Sequence, residues 1–252
     1  MKKITLFTFL ILFNYSCSEK KPETSVETDS KEDVNQTLEE RVHRHVQSDL
    51  SIPSTEKYSL KIYKEHLDGD DKIDAIITVN RLNFALEEAT KSGKFEMFKE
   101  LGFTGHYNYI FYFDGGLNQI SPAIPVPSSP KAELKVHFEN IISEAYKDIL
   151  IDYTIRNSSF RNYYDVTNHT PRQIFQWKLY DYLTEKNLEV NYLEHSEGSL
   201  GLAKDILIYE GNLENANDVK DIYNFNPKIS KKGKLLYRFF YLDKEGKYFT
   251  KK

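Results

Sequence analysis

From about residue 57 onward, apolar and polar residues alternate in short runs, the period-two pattern of half-buried strands, and 18 Tyr and 16 Phe are spread through the chain. Three of these runs align: SLKIYKEH from Ser59, ELKVHFEN from Glu133 and NLEVNYLEH from Asn187. Each leads to an aspartate that opens a solid apolar run, Asp74 in KIDAIITV, Asp148 in YKDILIDYTI and Asp205 in AKDILIYEG. Leu60 to Asp74 and Leu134 to Asp148 both span 14 positions, and Leu188 to Asp205 spans 17. A second aromatic strand then ends in an acidic turn, at Asp114, Asp181 and Asp243. The pattern predicts a mainly β body made from one unit written three times, at about 57–125, 131–186 and 187–252. Such a unit cannot bury both faces of its strands alone, so consecutive units must pack on one another.

Helical spacing interrupts this pattern in two places. Val34, Leu38, Val42 and Val46 stand four apart in VNQTLEERVHRHVQSDL, a narrow stripe that fits a short docking helix. Leu82, Ala85, Leu86 and Ala89, followed by Phe95, Phe98 and Leu101, predict one or two short helices inserted in the first unit, with Gly102 as the C-terminal cap. The proline-rich stretch SPAIPVPSSP, 121–130, separates the first two units.

The strand, acidic loop and apolar strand of each unit resemble the FG-GAP or VCBS-type repeat of β-propeller proteins, whose loop has the form DxDGDGxxD. The resemblance implies three propeller-like β modules with short helical insertions, arranged as a partial propeller or in sandwich-like packing. It also implies a cation at the loop. In EHLDGDDKIDAIITV the matched carboxylates are Asp68, Asp70 and Asp74, while His66 holds the first ligand position and Asp71 the place of a second glycine. Calcium needs six to eight oxygens, which alternate carboxylates on a glycine-bent loop can supply. The second and third units keep only the final aspartate, with a lone glutamate nearby. The competing reading is therefore that Asp74, Asp148 and Asp205 cap a turn by accepting backbone N–H bonds before a buried strand. No cofactor other than Ca²⁺ is indicated.

The most distinctive polar stretch is RNSSFRNYYDVTNHTPRQIFQWK, 156–178. Arginine interleaved with aromatic rings suits a surface that stacks on sugars or anchors a peptide, so Arg161, Tyr163, Tyr164, His169 and Arg172 are the candidate ligand-binding residues. The alternative is a long surface hairpin whose rings cover a sheet edge. Alternation in QIFQWKL places Phe175, Trp177 and Leu179 on one face, which predicts a core Trp177. His43 and His45 lie two apart on a helix and point away from each other, so they read as a solvated face rather than a chelating pair. HExxH, GxSxG and glycine-rich phosphate loops do not occur. No catalytic residue is assigned, and an enzyme could enter only as a glycan hydrolase with two carboxylates on distant strands.

Charge and the N-terminus supply an address. Lys2 and Lys3 precede an apolar run, Ile4–Phe13, that is too short to span a bilayer, which takes roughly 20 residues. Ser16 and Cys17 follow, and this segment resembles a bacterial lipobox: 1–16 a signal peptide, Cys17 the lipid-modified residue. Cys17 is the chain's one cysteine, so once it carries lipid no thiol is left for a disulfide or a thiolate site. Residues 17–40 are acidic and lack aromatics, fitting a solvated tether. Residues 41–252 carry 29 basic and 30 acidic side chains, a balance that excludes nucleic acid as a partner. The sequence thus points to a lipoprotein of the cell envelope, anchored to the outer membrane at its periplasmic face or the cell surface. Its expected role is binding or assembly with a protein or glycan partner, with the glycan hydrolase as the alternative.

Overall fold

The computed structural model describes residues 36–102 and 105–250; the lipobox with Cys17 and most of the acidic tether lie outside the described residues. From Thr37 onward the chain forms one compact unit. It is mainly β, with two antiparallel sheets that do not close on themselves. The strands are β1 (Ser59–Glu65), β2 (Asp74–Asn80), β3 (Asn108–Asp114), β4 (Gln119–Ile120), β5 (Ile124–Pro125), β6 (Lys135–Glu139), β7 (Asp148–Ile155), β8 (Ser158–Thr167), β9 (Thr170–Asp181), β10 (Glu189–Ser196), β11 (Asp205–Leu213), β12 (Ile229–Leu242) and β13 (Lys247–Phe249). The first sheet runs β1-β2-β3-β4, with β5 also on β3; the second is a meander from β6 to β13.

Three layers result. Ile76, Ile110 and Tyr112 of the first sheet pack against Ile149, Ile151 and Tyr164 on one face of β7 and β8. The opposite face of that layer, through Leu150, Tyr163 and Phe175, packs on Ile206, Ile208 and Phe239 of β11 and β12. The second sheet can fold back in this way because β9 and β10 share only two paired positions, Asp181 with Glu189 and Tyr180 with Val190. Strands buried on both faces read as continuous apolar runs, which is why DAIITV, DILIDY and DILI lead β2, β7 and β11 into the core.

Three α-helices, α1 (Leu38–Asp49), α2 (Leu82–Lys91) and α3 (Phe95–Leu101), and a 3-10 turn at Ala216–Asp218 complete the described residues. Val42 and Val46 of α1 bury against Ala75, Ile77 and Phe111 on the outer face of the first sheet. Burying a side chain of this kind contributes about 1.5–3 kcal/mol. Thr37 and Glu40 form a reciprocal capping box, so 37–40, expected in the tether, belong to the helix start. Their acidity suits the positive end of the helix dipole. Gly102 ends α3 in the left-handed region, φ 65°; a Cβ there would lie 2.2 Å from Tyr223 Oη. None of the helices among the described residues is long and apolar enough to cross a membrane.

The 156–172 stretch, expected as an exposed binding surface or a surface hairpin, is mostly β8, a ten-residue strand hydrogen-bonded on both sides, to β7 and to β9. Tyr163 and Tyr164 are buried on opposite faces. The strand holds Arg161 by pairing it with Asp152 of β7, while Asn162 and Asp165 each keep one buried oxygen without a hydrogen-bond partner.

Candidate functional site

The three strand-opening aspartates are buried and hold backbone. Asp74 accepts the N–H groups of Leu67 (3.0 Å) and Gly115 (2.9 Å). Asp148 Oδ2 accepts those of Ile141 (2.9 Å) and Ile142 (2.8 Å). Asp205 accepts from the Ser199 N–H and hydroxyl and pairs with Arg238 Nε at 3.0 Å. Across the ladders they face Glu65, Glu139 and Ser196 respectively. Lys147 and Lys204, each just before its aspartate, donate backbone N–H to His66 and Ile141 in the preceding lead segment.

The predicted trio Asp68, Asp70 and Asp74 does not converge as three ligands. Both oxygens of Asp74 are taken by backbone, and Asp70 Oδ1 accepts the Lys72 N–H at 2.7 Å. Asp68 instead meets Asp114 and His169, with potential metal-binding atoms all within 4.8 Å of one another. Asp114 ends β3, and His169 sits in the β8–β9 hairpin, its Nδ1 2.6 Å from Asp114 Oδ2. Asn168 and His169, at φ 50° and 61°, form the two-residue turn. Positive φ at both central positions is the mark of a type I′ hairpin.

A polar cleft of about 290 Å³ opens on the face of β6–β8 that looks toward the third layer. Register sets Lys135, Asp152 and Arg161 side by side across β6, β7 and β8. Arg161 grips Asp152 through both carboxylate oxygens, at 2.6 and 2.8 Å, and His137 Nε2 lies 3.3 Å from the same group. Burial pushes the Asp152 carboxyl up, but the hydrogen bonds from Arg161 and His137 outweigh it and hold the pKa below the usual range. Burial pulls the Lys135 ammonium down, and its Nζ donates to Phe225 O and Asn226 Oδ1, both at 3.1 Å. That bond draws the β11–β12 connection over the cleft. Tyr180 and Tyr192 line it, with Asn191 beside them.

Of the predicted ligand-binding residues, Arg161 alone lines this cleft. His169 belongs to the carboxylate corner, and Arg172 Nη2 holds Glu245 O of the β12–β13 turn at 2.8 Å. Tyr163 meets His195 inside the core, and Tyr164 accepts from Asn162. Trp177 is half-buried rather than core; it stacks on Phe175, meets the Tyr237 ring at a tilt and edges a wider groove of about 630 Å³. Asp152, Lys135 and His137 escaped the sequence reading. Their signal was a charge in the middle of an apolar strand, ILIDYTI, which needs a cationic neighbour. Compared with known proteins, the chain matches no family model, no curated protein and no solved structure.

Proposed function

We propose that the chain is an envelope-anchored lipoprotein whose β body is a binding module, with the Asp152–Arg161 cleft as its ligand site. The observation that carries the reading is a buried bidentate ion pair, flanked by Lys135 and His137, in a cleft walled by tyrosines. At about 290 Å³ the cleft sits at the lower edge of small-molecule sites, roughly 300–1,000 Å³. Its charges neutralise one another, so it offers donors, acceptors and ring faces without a strong net field. That chemistry fits a neutral polyhydroxylated ligand, such as one or two sugar units of an envelope glycan. Binding is favoured over hydrolysis by its two carboxyls. Hydrogen bonding from Lys61 lowers the Glu133 pKa as Arg161 and His137 lower that of Asp152, which leaves neither as a general acid at neutral pH.

We further read the body as three copies of one propeller-like module. The support is the common position of Asp74, Asp148 and Asp205 opposite the end of the lead strand, and the matched N–H bonds of Lys147 and Lys204 to the preceding module.

Two measurements test the functional reading. Calorimetric titration with neutral oligosaccharides should show saturable binding that Tyr192→Ala and Asn191→Ala weaken at least tenfold, since both residues line the cleft outside the ion pair. Binding insensitive to both variants removes the cleft. For the anchor, Cys17→Ser should move the protein from the membrane to the soluble fraction; an unchanged distribution counts against lipidation.

A further inference from the structure

The acidic corner beside α1's sheet presents a mixed donor set rather than a solvated patch of carboxylates. Asp68 comes from the β1–β2 loop, Asp114 from the end of β3 and His169 from the β8–β9 turn of the next layer. Chain segments 46 and 55 residues apart thus deliver two carboxylates and an imidazole to one point. Asp74 and Asp114 flank the last β2–β3 pair, Ala75 with Phe113, and Asp70 Oδ2 lies just above Gly116. Four carboxylates therefore share this corner, and among the described residues none has a Lys or Arg ion-pair partner; His169 is the one basic group paired there. The Tyr112 hydroxyl donates to Asp68 Oδ2 at 3.2 Å and holds that carboxylate in the corner.

We propose that Asp68, Asp114 and His169 bind one divalent transition-series cation, of the Zn²⁺ or Mn²⁺ kind. Imidazole with carboxylate oxygen suits these ions, whereas calcium takes an all-oxygen shell of six to eight ligands. Donors on one zinc ion lie about 2.0–2.2 Å from it and so at most about 4.4 Å apart. The observed spread of up to 4.8 Å closes with a movement of less than an ångström by the exposed His169 or half-exposed Asp68 side chain. Three protein donors leave a coordination position for water or for a ligand group. Because the ion would join the first and second layers, it also clamps them together.

The test uses the full chain, stripped of metal by chelation and titrated with ZnCl₂ and CaCl₂ in separate calorimetric runs. One equivalent of Zn²⁺ should bind at least tenfold more tightly than Ca²⁺. Asp68→Asn and His169→Gly should each weaken Zn²⁺ at least tenfold; the glycine variant makes the turn Asn-Gly, the best type I′ pair, so the hairpin is kept. Asp71→Asn, an equally acidic exposed neighbour outside the donor set, should leave Zn²⁺ binding unchanged. Absent Zn²⁺ binding, Ca²⁺ binding as tight as Zn²⁺, or equal losses in Asp71→Asn and His169→Gly would each overturn the proposal.

Discussion

Asp148→Asn should stabilise the protein at neutral and alkaline pH. Asp148 opens β7 fully buried, and the β7–β8 ladder ends at Ile149 with Tyr164, so Asp165 lies one position beyond it, near Asp148. Neighbouring like charges across a sheet are destabilising, and here each carboxylate also keeps one buried oxygen, Oδ1, without a hydrogen-bond partner. Burial, reinforced by the Asp165 charge, pushes the Asp148 pKa up to about 7, and burial raises Asp165 as well. The folded chain therefore holds a proton that the unfolded chain, with a carboxyl near the model value of 3.8, releases. The group costs nothing below about pH 4 and costs stability progressively as pH rises toward 7. At 1.36 kcal/mol per unit, the roughly three-unit gap amounts to about 4 kcal/mol by pH 8. Asparagine removes that cost. Its carbonyl can keep the Ile141 and Ile142 N–H groups while its amide N–H donates toward the unpartnered oxygen of Asp165. Urea unfolding of both proteins between pH 4 and pH 8, followed by Trp177 fluorescence, isolates Asp148 and its coupled neighbour Asp165, because carboxylates remote from the pair cancel in the difference. The variant should gain about 2–4 kcal/mol at pH 8 and less than about 1 kcal/mol at pH 4. A variant less stable at pH 8, or a difference flat with pH, refutes the reasoning.

Other perturbations follow from the same geometry. Arg161→Ala leaves Asp152 buried without its bidentate partner and should cost about 3–5 kcal/mol, whereas Asp152→Leu combined with Arg161→Met should recover most of that; equal losses in the single and double variants would show that the pair is not coupled. Gly102→Ala meets both a left-handed φ and Tyr223 Oη, so it should lower the melting temperature measured by circular dichroism, and an unchanged melt would mean that Tyr223 moves aside freely. Thr37→Ala removes the α1 capping box and should cost about 1 kcal/mol in urea unfolding, with no loss placing the helix start elsewhere.

What could be read from the chain before its fold was known divides along the range of the interactions involved. The stripe of Val42 and Val46, the two short helices with Gly102 as their stop, and the apolar strands behind Asp74, Asp148 and Asp205 depend on neighbours within a few residues, and their patterns survive in the sequence. β8 does not behave this way. Its sequence SSFRNYYDVT looks polar because what its side chains meet lies on other strands, Asp152 of β7 bonding Arg161 and Arg172 of β9 standing across the ladder from Asp165. Only the turn residues Arg156–Asn157 and Asn168–His169 at its ends mark it out locally. The same holds for the candidate sites. Asp68 was visible as part of an acidic loop, but its companions Asp114 and His169 arrive through the pairing of β2 with β3 and the packing of the second layer on the first. The candidate sites of this stacked-sheet protein therefore lie where layers meet, at positions set by register. The loop motif supplies one donor, and the ladder chooses the rest.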